Sequence, residues 1–301
     1  MPSWAVVATV KAPEEKVLAF VAHHLSLGAA QVLLYFDDPD DPVVDAVAAI
    51  ARVKVTRCSE DYWAERGGRH ERHQNRQSRN ARDAHARCTT DWLCHIDVDE
   101  FILSSRPVAD CLAEMPDDTI VTRLEPFEAM HDPQLPDDIY TARAFRGALR
   151  HEQRHLRPGV LGPYAEVNRD GLLSHANGKV IFRRGIHGLA PRLHGVFLQG
   201  VRVEAGWHPA MKLLHFHAQD LKAWRAALPF RLTRGAYQYR PALQTFLQGA
   251  TPEEIDAFYL RTQVLSAETL AALQQSDRII LADLGLRQKI KALCAGAVER
   301  G

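Results

Sequence analysis

Short apolar stretches alternate with helix-like stretches over the first hundred residues, and this alternation indicates the fold class. Residues 4–10, 31–36, 53–58 and 91–96 have the length and the apolar, β-branched composition of buried strands. The helix-like segments between them are residues 13–28, 43–50 and 72–87. Strands separated by helices form a mainly parallel sheet with helices on both faces, because the crossovers are right-handed. We therefore predict a Rossmann-like α/β fold.

The sequence changes character after residue 101. Further strands are predicted at residues 119–124, 179–183, 196–203 and 212–217. Residues 128–177 are rich in Asp, Pro, Arg, His and Gly, which is typical of long loops around a site. Helices are predicted at residues 223–232, 252–264, 267–275 and 284–298. We expect two domains, a catalytic domain over residues 1–218 and a mostly helical C-terminal extension over residues 219–301.

The last predicted helix has an amphipathic pattern. Leu284, Ile290, Leu293 and Val298 form its apolar face. Packing against the rest of the chain is the favoured interpretation. A homodimer contact, or a peripheral contact with the inner face of the membrane, is the alternative.

Charge and cysteine content exclude several classes of protein. Lys plus Arg and Asp plus Glu both number 37, and no basic, aromatic-rich segment is present, so we expect no nucleic-acid partner. The five cysteines are odd in number and lack CxxC spacing, which favours a reducing, cytoplasmic location over a disulfide framework or a cysteine zinc site. We find no signal-peptide pattern and no apolar run of about 20 residues, and therefore predict no transmembrane segment.

The sharpest motif is the acidic sequence Asp97-Val-Asp99-Glu100, which follows the fourth predicted strand. Alternation along a strand would place Asp97 and Asp99 on one side, and the turn after it would expose their carboxylates. Carboxylate oxygens combined with phosphate oxygens are the ligands that Mg²⁺ and Mn²⁺ prefer. We predict a metal-diphosphate site at Asp97 and Asp99, against the alternative of a solvated acidic turn.

A second acidic loop, which includes Asp37 and Asp38, follows the second predicted strand. Ligands of open α/β sheets bind beyond the carboxyl ends of the strands, so both acidic loops should lie at the same edge. Asp37 and Asp38 would bind a base or ribose through hydrogen bonds, although a plain Asp-Pro turn is an equal alternative.

Basic side chains near these loops are candidates for binding a diphosphate. Lys11 follows the first strand, Arg72, Arg76 and Arg79 have helical spacing, and Lys179 follows an Asn-Gly turn. A solvated basic face and a strand-edge lysine are the competing interpretations.

His215 and His217 flank Phe216 at the end of an apolar strand and should point to one side. One of them, His215, is a candidate to complete the metal coordination begun by Asp97 and Asp99. A buried, hydrogen-bonded histidine is the alternative. The sequence lacks GxSxG, HExxH, Walker and GxGxxG motifs, which removes the simplest hydrolase, zincin, kinase and dinucleotide interpretations.

Several segments together resemble a known group of proteins. They are Lys11-Ala-Pro-Glu-Glu15, His23-His-Leu-Ser-Leu-Gly28, Val32-Leu-Leu-Tyr-Phe-Asp-Asp38, Trp92-Leu-Cys-His-Ile-Asp-Val-Asp-Glu-Phe101, Gly178-Lys-Val-Ile-Phe-Arg183 and Leu214-His-Phe-His217. The pattern resembles family 2-like glycosyltransferases of the GT-A fold, in the bacterial branch related to the DUF23 (family 92) group. That group often has Lys-Asn-Glu at the first loop, where this chain has Lys11-Ala12-Pro13-Glu14.

The resemblance implies that Asp97 and Asp99 bind the ribose and the metal-diphosphate, and that His215 contacts metal or phosphate. It implies a hexosyltransferase-type enzyme that moves a sugar from a UDP- or GDP-linked donor to a hydroxyl of a carbohydrate or lipid-linked acceptor. Mn²⁺ or Mg²⁺ would assist, and an inverting reaction is expected.

An inverting transfer needs a general base, and the resemblance places it after the fifth strand. Glu125, Glu128 and Asp132 all follow there, and Glu128 is favoured. Two other functions stay open at this point. One is a metal-dependent phosphoesterase or nuclease, and the other is a catalytically degenerate module that binds a glycan or a protein.

Overall fold

The computed structural model describes residues 1–136 and 138–298, without the side chains of residues 296–298. The chain divides into two compact units. Unit 1 comprises residues 1–125, 178–213 and the segment that begins at residue 284, and unit 2 comprises residues 126–177 and 214–283. The side chain of Val298, predicted on the apolar face of the last helix, and residues 299–301 of the predicted extension lie outside the described residues.

Strands and helices alternate over about the first hundred residues, as the sequence predicts. The first eleven are β1 (Trp4–Val10), α1 (Glu14–Ser26), β2 (Gln31–Phe36), α2 (Val43–Ala48), β3 (Val53–Arg57), α3 (Glu60–Ala64), α4 (His73–Arg87), β4 (Trp92–His95), β5 (Glu100–Ser104), α5 (Val108–Ala113) and β6 (Val121–Ala129). The others are β7 (Ala144–Gly147), α6 (Arg157–Leu161), β8 (Lys179–Arg183), β9 (Leu189–Arg192), β10 (Gly195–Leu198), β11 (Val201–Arg202), β12 (Trp207–His215), α7 (Leu221–Thr233), α8 (Pro241–Gly249), α9 (Pro252–Gln263), α10 (Ala267–Gln274), β13 (Ile279–Leu281) and α11 (Leu286–Val298).

Unit 1 is built on a mainly parallel sheet. β1 pairs in parallel with β2 on one side and β4 on the other, and β3 extends the sheet beyond β2, also in parallel. β8 is antiparallel to β4 and to the first part of β6, so β6 runs in the same direction as β4. The predicted mainly parallel α/β fold is confirmed.

Both faces of this sheet are covered by helices, because β1 is apolar at every position except Thr9. Val6 and Ala8 point to one face and belong to a core that includes Phe20 of α1. Ala5 and Val7 point to the other face, whose core includes Trp63 of α3 together with residues of α4. A strand with apolar side chains on both of its faces requires burial on both sides.

The predicted strand over residues 196–203 is wrong. The chain reverses there into the hairpin β10–β11, in which Leu198 pairs with Val201. The two residues between them, Gln199 and Gly200, have φ angles of 51° and 85°. Two consecutive residues with positive φ form the tight turn that suits a two-residue hairpin, and a continuous strand cannot pass through them.

Unit 2 contains most of the predicted C-terminal helices. α7, α8, α9 and α10 surround a core that includes Trp224, Tyr237 and Phe258. The last part of β6 pairs with β7, which pairs with β13. The helical character after residue 219 is confirmed, and β7 shows that residues 128–177 are more than loops.

α11 belongs to unit 1, where it packs on α1. Arg287 binds Glu15 at 2.7 Å, and Leu293 packs against the core beneath α1. These contacts support the packing interpretation of the last helix. The division into domains at residues 218 and 219 stays a prediction, since the two compact units are interleaved along the chain. In the part of the chain that the structure describes, no helix is long and apolar enough to cross a membrane.

Candidate functional site

The two acidic loops of unit 1 lie at one edge of the sheet. Asp37 follows β2, which ends beside Val10 of β1, and Asp97 follows β4, which ends beside Val7 of the same strand. All three strands are parallel, so both loops extend from carboxyl ends. The predicted common edge is therefore present, with β1 between the two loops.

Helix α4 holds both loops through two consecutive residues. The Arg76 guanidinium donates to both oxygens of Asp37, at 2.7 and 2.8 Å, and Gln77 Nε2 donates to Asp97 Oδ1 at 2.5 Å. His73, in the first turn of α4, interacts electrostatically with the carboxylates of Asp37 and Asp97. Burial lowers the pKa of His73, and Asp97 and Asp37 oppose that shift. The helix thus fixes the spacing between the two loops.

Two of the arginines predicted to bind a diphosphate, Arg76 and Arg79, are hydrogen-bonded within the protein. Only 11% of the Arg76 side chain is exposed, and its Nη1 also donates to the carbonyls of His70 and Glu71. Arg79 Nη1 donates to the carbonyls of Arg66 and Gly68. Both guanidiniums donate to backbone carbonyls of the loop before α4, which favours a structural role for Arg76 and Arg79.

Asp97 and Asp99 are not positioned by strand alternation as expected. β4 ends at His95, and residues 97–100 form a tight turn that leads into β5. Glu100 N donates to the Asp97 carbonyl at 3.0 Å, and Asp97 N donates to Glu100 Oε2 at 2.8 Å. This reciprocal pair of hydrogen bonds fixes the turn, in which Asp97 and Asp99 are both half-buried.

Lys179 is an internal cation beside this turn. Its side chain is 0% exposed, and its Nζ lies 2.6 Å from Asp97 Oδ2 and 3.0 Å from Glu100 Oε2. Burial disfavours the charged ammonium, but the two carboxylates outweigh burial and raise the pKa of Lys179 above its usual value. Lys179 thus contacts the acidic motif itself, and its contact with a phosphate stays a prediction.

The environment of Lys179 limits where a metal ion fits. Both oxygens of Asp97 already accept hydrogen bonds, one from Gln77 and one from the Lys179 ammonium. A divalent cation on the same carboxylate would meet that ammonium at close range and be repelled. Asp99, in the middle of the turn, is the better anchor, because Mg²⁺ and Mn²⁺ often bind through one or two carboxylates plus substrate phosphates.

A cavity of about 670 Å³ opens beside Asp37, at residues that follow the carboxyl ends of β1, β2 and β3. Its lining includes Lys11, Asp37, Asp38, Glu60, Trp63 and Arg69. The predicted residues Lys11, Asp37 and Asp38 are therefore brought together around one space.

Sequence reasoning missed Glu60 and Trp63, because no element was predicted between the strand at residues 53–58 and the helix at residues 72–87. The signal for α3 was present. Ser59 is the N-cap and its side chain accepts from Tyr62 N at 3.2 Å, while Glu60 and Asp61 supply acidic residues in the first turn. A serine followed by acidic residues is a common start of a helix.

Two other predicted site residues, Glu128 and His215, lie in unit 2 and are linked through Ser174. Glu128 is 2% exposed and accepts hydrogen bonds from Leu173 N at 2.6 Å and Ser174 N at 3.2 Å. Ser174 Oγ is hydrogen-bonded to His215 Nδ1 at 3.1 Å. Burial raises the pKa of Glu128, and the nearby His215 and Arg146 only partly oppose it. These contacts favour a positioning role for Glu128, and its role as general base stays a prediction.

The other candidate bases differ in exposure. Glu125, in unit 1, is buried and paired with Lys212 at 2.8 Å. Asp132, in unit 2, is half-buried, and its Oδ1 accepts from Gln134 N at 3.0 Å. Asp132 is therefore the most accessible carboxylate of the three.

Two histidines of unit 2, His175 and His217, lie close to His215. Its ring centroid lies 5.8 Å from that of His175 and 5.2 Å from that of His217. His217 Nε2 is hydrogen-bonded to Tyr237 Oη at 3.3 Å, and burial holds the pKa of His217 well below its usual value. His217 thus fits the interpretation of a buried, hydrogen-bonded histidine, whereas the metal role of His215 stays a prediction.

Comparisons with known proteins give only distant similarities. No family model matches the chain, and no curated protein matches it. Among solved structures, S. aureus TarS 1–349 is 10% identical over 91% of this chain and 72% of that chain, with a TM-score of 0.38. Glucosyl-3-phosphoglycerate synthase from Mycobacterium tuberculosis, in complex with Mn²⁺, UDP and phosphoglyceric acid, is 11% identical over 88% and 80%, with a TM-score of 0.38. GalNAc-T7 with UDP, GalNAc and Mn²⁺ is 14% identical over 91% and 56%, with a TM-score of 0.35.

Proposed function

We propose that this chain is a glycosyltransferase that uses a nucleoside diphosphate sugar. The observation that carries the proposal is the carboxyl edge of the sheet in unit 1. There, a cavity large enough for a nucleoside opens beside Asp37, and α4 holds Asp37 and the Asp97 turn in fixed positions. Ligands of open α/β sheets bind at this edge. A nucleotide with its base in the cavity and its diphosphate toward the turn matches this distribution of groups.

Asp97 and Asp99 have different tasks in this proposal. Asp97, held by Gln77 and Lys179, would accept a hydrogen bond from a ribose hydroxyl. Asp99 would hold Mn²⁺ or Mg²⁺. The bound ion would neutralise negative charge that develops on the departing diphosphate.

The acceptor hydroxyl of a carbohydrate or a lipid-linked sugar loses its proton to a carboxylate as it attacks in an inverting transfer. Such a base must reach the hydroxyl, at about 2.6–3.2 Å between heavy atoms. Both oxygens of Glu128 already accept backbone hydrogen bonds, so its use as base requires those bonds to lengthen. Asp132 needs no comparable rearrangement, and we propose it as the second candidate.

A thermal-shift panel of nucleoside diphosphates, with and without Mn²⁺, tests the donor site. Stabilisation of the wild type by at least one nucleotide, stronger with Mn²⁺ than in EDTA, is the expected result. Asp99→Ala should lose the Mn²⁺-dependent part, whereas Asp61→Asn, an exposed acidic residue outside the cavity lining, should keep it. A folded wild-type sample that no nucleotide stabilises would contradict the proposal.

A further inference from the structure

Two side chains of opposite charge, Lys11 and Glu60, line the cavity beside Asp37 without pairing with another group of the described structure. Lys11, after β1, and Glu60, in the first turn of α3, are both exposed and both line it. Among the described residues, neither side chain makes a hydrogen bond or an ion pair, with each other or with any neighbour. Two other acidic residues line the cavity: Asp37 is bound by Arg76 and Arg69, and Asp38 Oδ1 accepts a hydrogen bond from Asp40 N at 3.0 Å. Lys11 and Glu60 therefore offer a ligand one ammonium donor and one carboxylate whose two oxygens can both accept.

We propose that this pair selects guanine, so that the donor is a GDP-linked sugar. The inference rests on the proposed function and names the base of its substrate. The pairing edge of guanine presents O6 as an acceptor, followed by N1–H and N2–H as donors. A carboxylate accepts two parallel N–H bonds, and an ammonium donates to a carbonyl oxygen. Lys11 with O6, and Glu60 with N1–H and N2–H, satisfies the whole edge.

No other common base matches this order of groups. Uracil presents acceptor, donor, acceptor, so a carbonyl oxygen would face the second oxygen of Glu60. Adenine and cytosine begin with an amino donor and continue with a ring acceptor, which places a donor against the Lys11 ammonium and an acceptor against Glu60. A site whose polar groups are left unpaired by the wrong ligand discriminates strongly.

The walls of the cavity suit a flat ring. Pro39 and Trp63 contribute apolar surface to its lining. Trp63 is 2% exposed, and its buried indole N–H has no hydrogen-bond partner within the described structure. A ligand acceptor that reached this N–H would satisfy it, and the imidazole half of a purine carries such an acceptor, N7.

Equilibrium titrations of the full chain with GDP, IDP, UDP, ADP and CDP, in Mn²⁺, test the inference. GDP should bind most tightly. IDP, which lacks the 2-amino group, should bind several-fold more weakly, because it keeps only one of the two bonds to Glu60. UDP should bind at least tenfold more weakly than GDP, the size expected for loss of a bidentate contact.

Glu60→Gln is the decisive variant, since it presents one acceptor and one donor in place of two acceptors. That order matches uracil, so the variant should lose at least tenfold in GDP affinity and gain affinity for UDP. The matched control is Asp61→Asn, one residue along α3 and outside the cavity lining, which should keep the wild-type preference. Tighter binding of UDP than GDP by the wild type, or an unchanged preference in Glu60→Gln, would overturn the guanine inference and leave the glycosyltransferase proposal intact. Binding of no nucleotide would overturn both.

Discussion

Lys179 carries a positive charge in a position with no exposure to solvent, and two carboxylates hold it there. Its Nζ lies 2.6 Å from Asp97 and 3.0 Å from Glu100. Removing one member of a buried ion cluster leaves the others uncompensated, which costs more than the cluster itself contributes. The Lys179 ammonium therefore compensates the negative charge of the acidic turn.

Lys179→Met should lower the free energy of unfolding by about 3–5 kcal/mol, because Asp97 and Glu100 would then face each other without a countercharge. Urea denaturation measures the change. Lys54→Met, at an exposed position, is the control and should change stability by less than about 0.5 kcal/mol. Adding Asp97→Asn to Lys179→Met should cost less than Asp97→Asn alone. Additive effects of the two substitutions would contradict the account of the buried cluster.

His24 on α1 gives a residue-scale prediction about pH. It is fully buried, its Nδ1 is hydrogen-bonded to the Phe20 carbonyl, and burial lowers the pKa of His24 to about 3. The unfolded chain binds a proton near pH 6.5 and the folded chain does not, so stability is lost as pH falls below 6.5. This residue alone should cost roughly 1.5 kcal/mol between pH 6.5 and 5.

Stability curves of the wild type and of His24→Gln, recorded by urea denaturation at several pH values, measure this contribution. The variant should show a shallower loss of stability over that range, whatever its stability at pH 7. His155→Gln, at an exposed position of unit 2, should keep the wild-type slope. An identical slope in His24→Gln would show that His24 does not carry the effect.

At the scale of elements, α4 does more than cover the sheet. Gln77 reaches Asp97 and its neighbour Arg76 reaches Asp37, so one turn of helix aligns both acidic loops. The functional consequence is that nucleotide affinity depends on a helix residue that need not touch the nucleotide itself.

Gln77→Ala should weaken nucleotide binding about tenfold, because Asp97 loses one of the two donors that orient it. The thermal midpoint without ligand should change by only a few degrees, since the Gln77 side chain is only half-buried. Calorimetric titration and a melting curve separate the two effects. Gln248→Ala, on the exposed side of α8, is the matched control. Unchanged affinity in Gln77→Ala would remove α4 from the donor site.

Sequence patterns predicted the elements well where local signals were strong. β1, β2 and β8 agree with the predicted bounds because apolar, β-branched runs bury on both faces of a sheet. The two-residue reversal at Gln199 and Gly200 was missed because a hairpin turn without Asn-Gly carries little signal.

The site was predicted in part, for the same kind of reason. The positions of Asp37 and Asp97 follow from strand order, which the sequence pattern indicates. The partners of Lys179 lie about eighty residues away along the chain, and no local pattern encodes such a contact. Their positive charge made Lys179 and Arg76 candidates for binding a ligand. In the structure, both side chains are buried and form ion pairs with Asp97 and Asp37, respectively.

At the scale of the whole molecule, the last helix, α11, packs against the first helix, α1. α11 belongs to the same compact unit as β1, and Lys289 of α11 contacts His23 of α1 at 3.0 Å. The last helix therefore completes unit 1 and is not an appendage of the helical unit 2.

Truncation after Asp283 should lower the thermal midpoint by several degrees, because it uncovers the apolar contacts that Leu293 makes with the core of unit 1. Differential scanning calorimetry of the truncated and full chains provides the measurement. An unchanged midpoint would show that α11 adds nothing to unit 1.

The central claim is that the carboxyl edge of unit 1 binds a nucleoside diphosphate together with a metal ion at Asp99. Calorimetric titration of GDP into the wild type and into Asp99→Asn, each in Mn²⁺ and in EDTA, tests this most directly. We predict binding to the wild type that is at least tenfold tighter in Mn²⁺, and no Mn²⁺ effect in Asp99→Asn. Equal Mn²⁺ dependence in both proteins would contradict the metal assignment, and absence of binding by GDP and by every other nucleoside diphosphate would contradict the site itself.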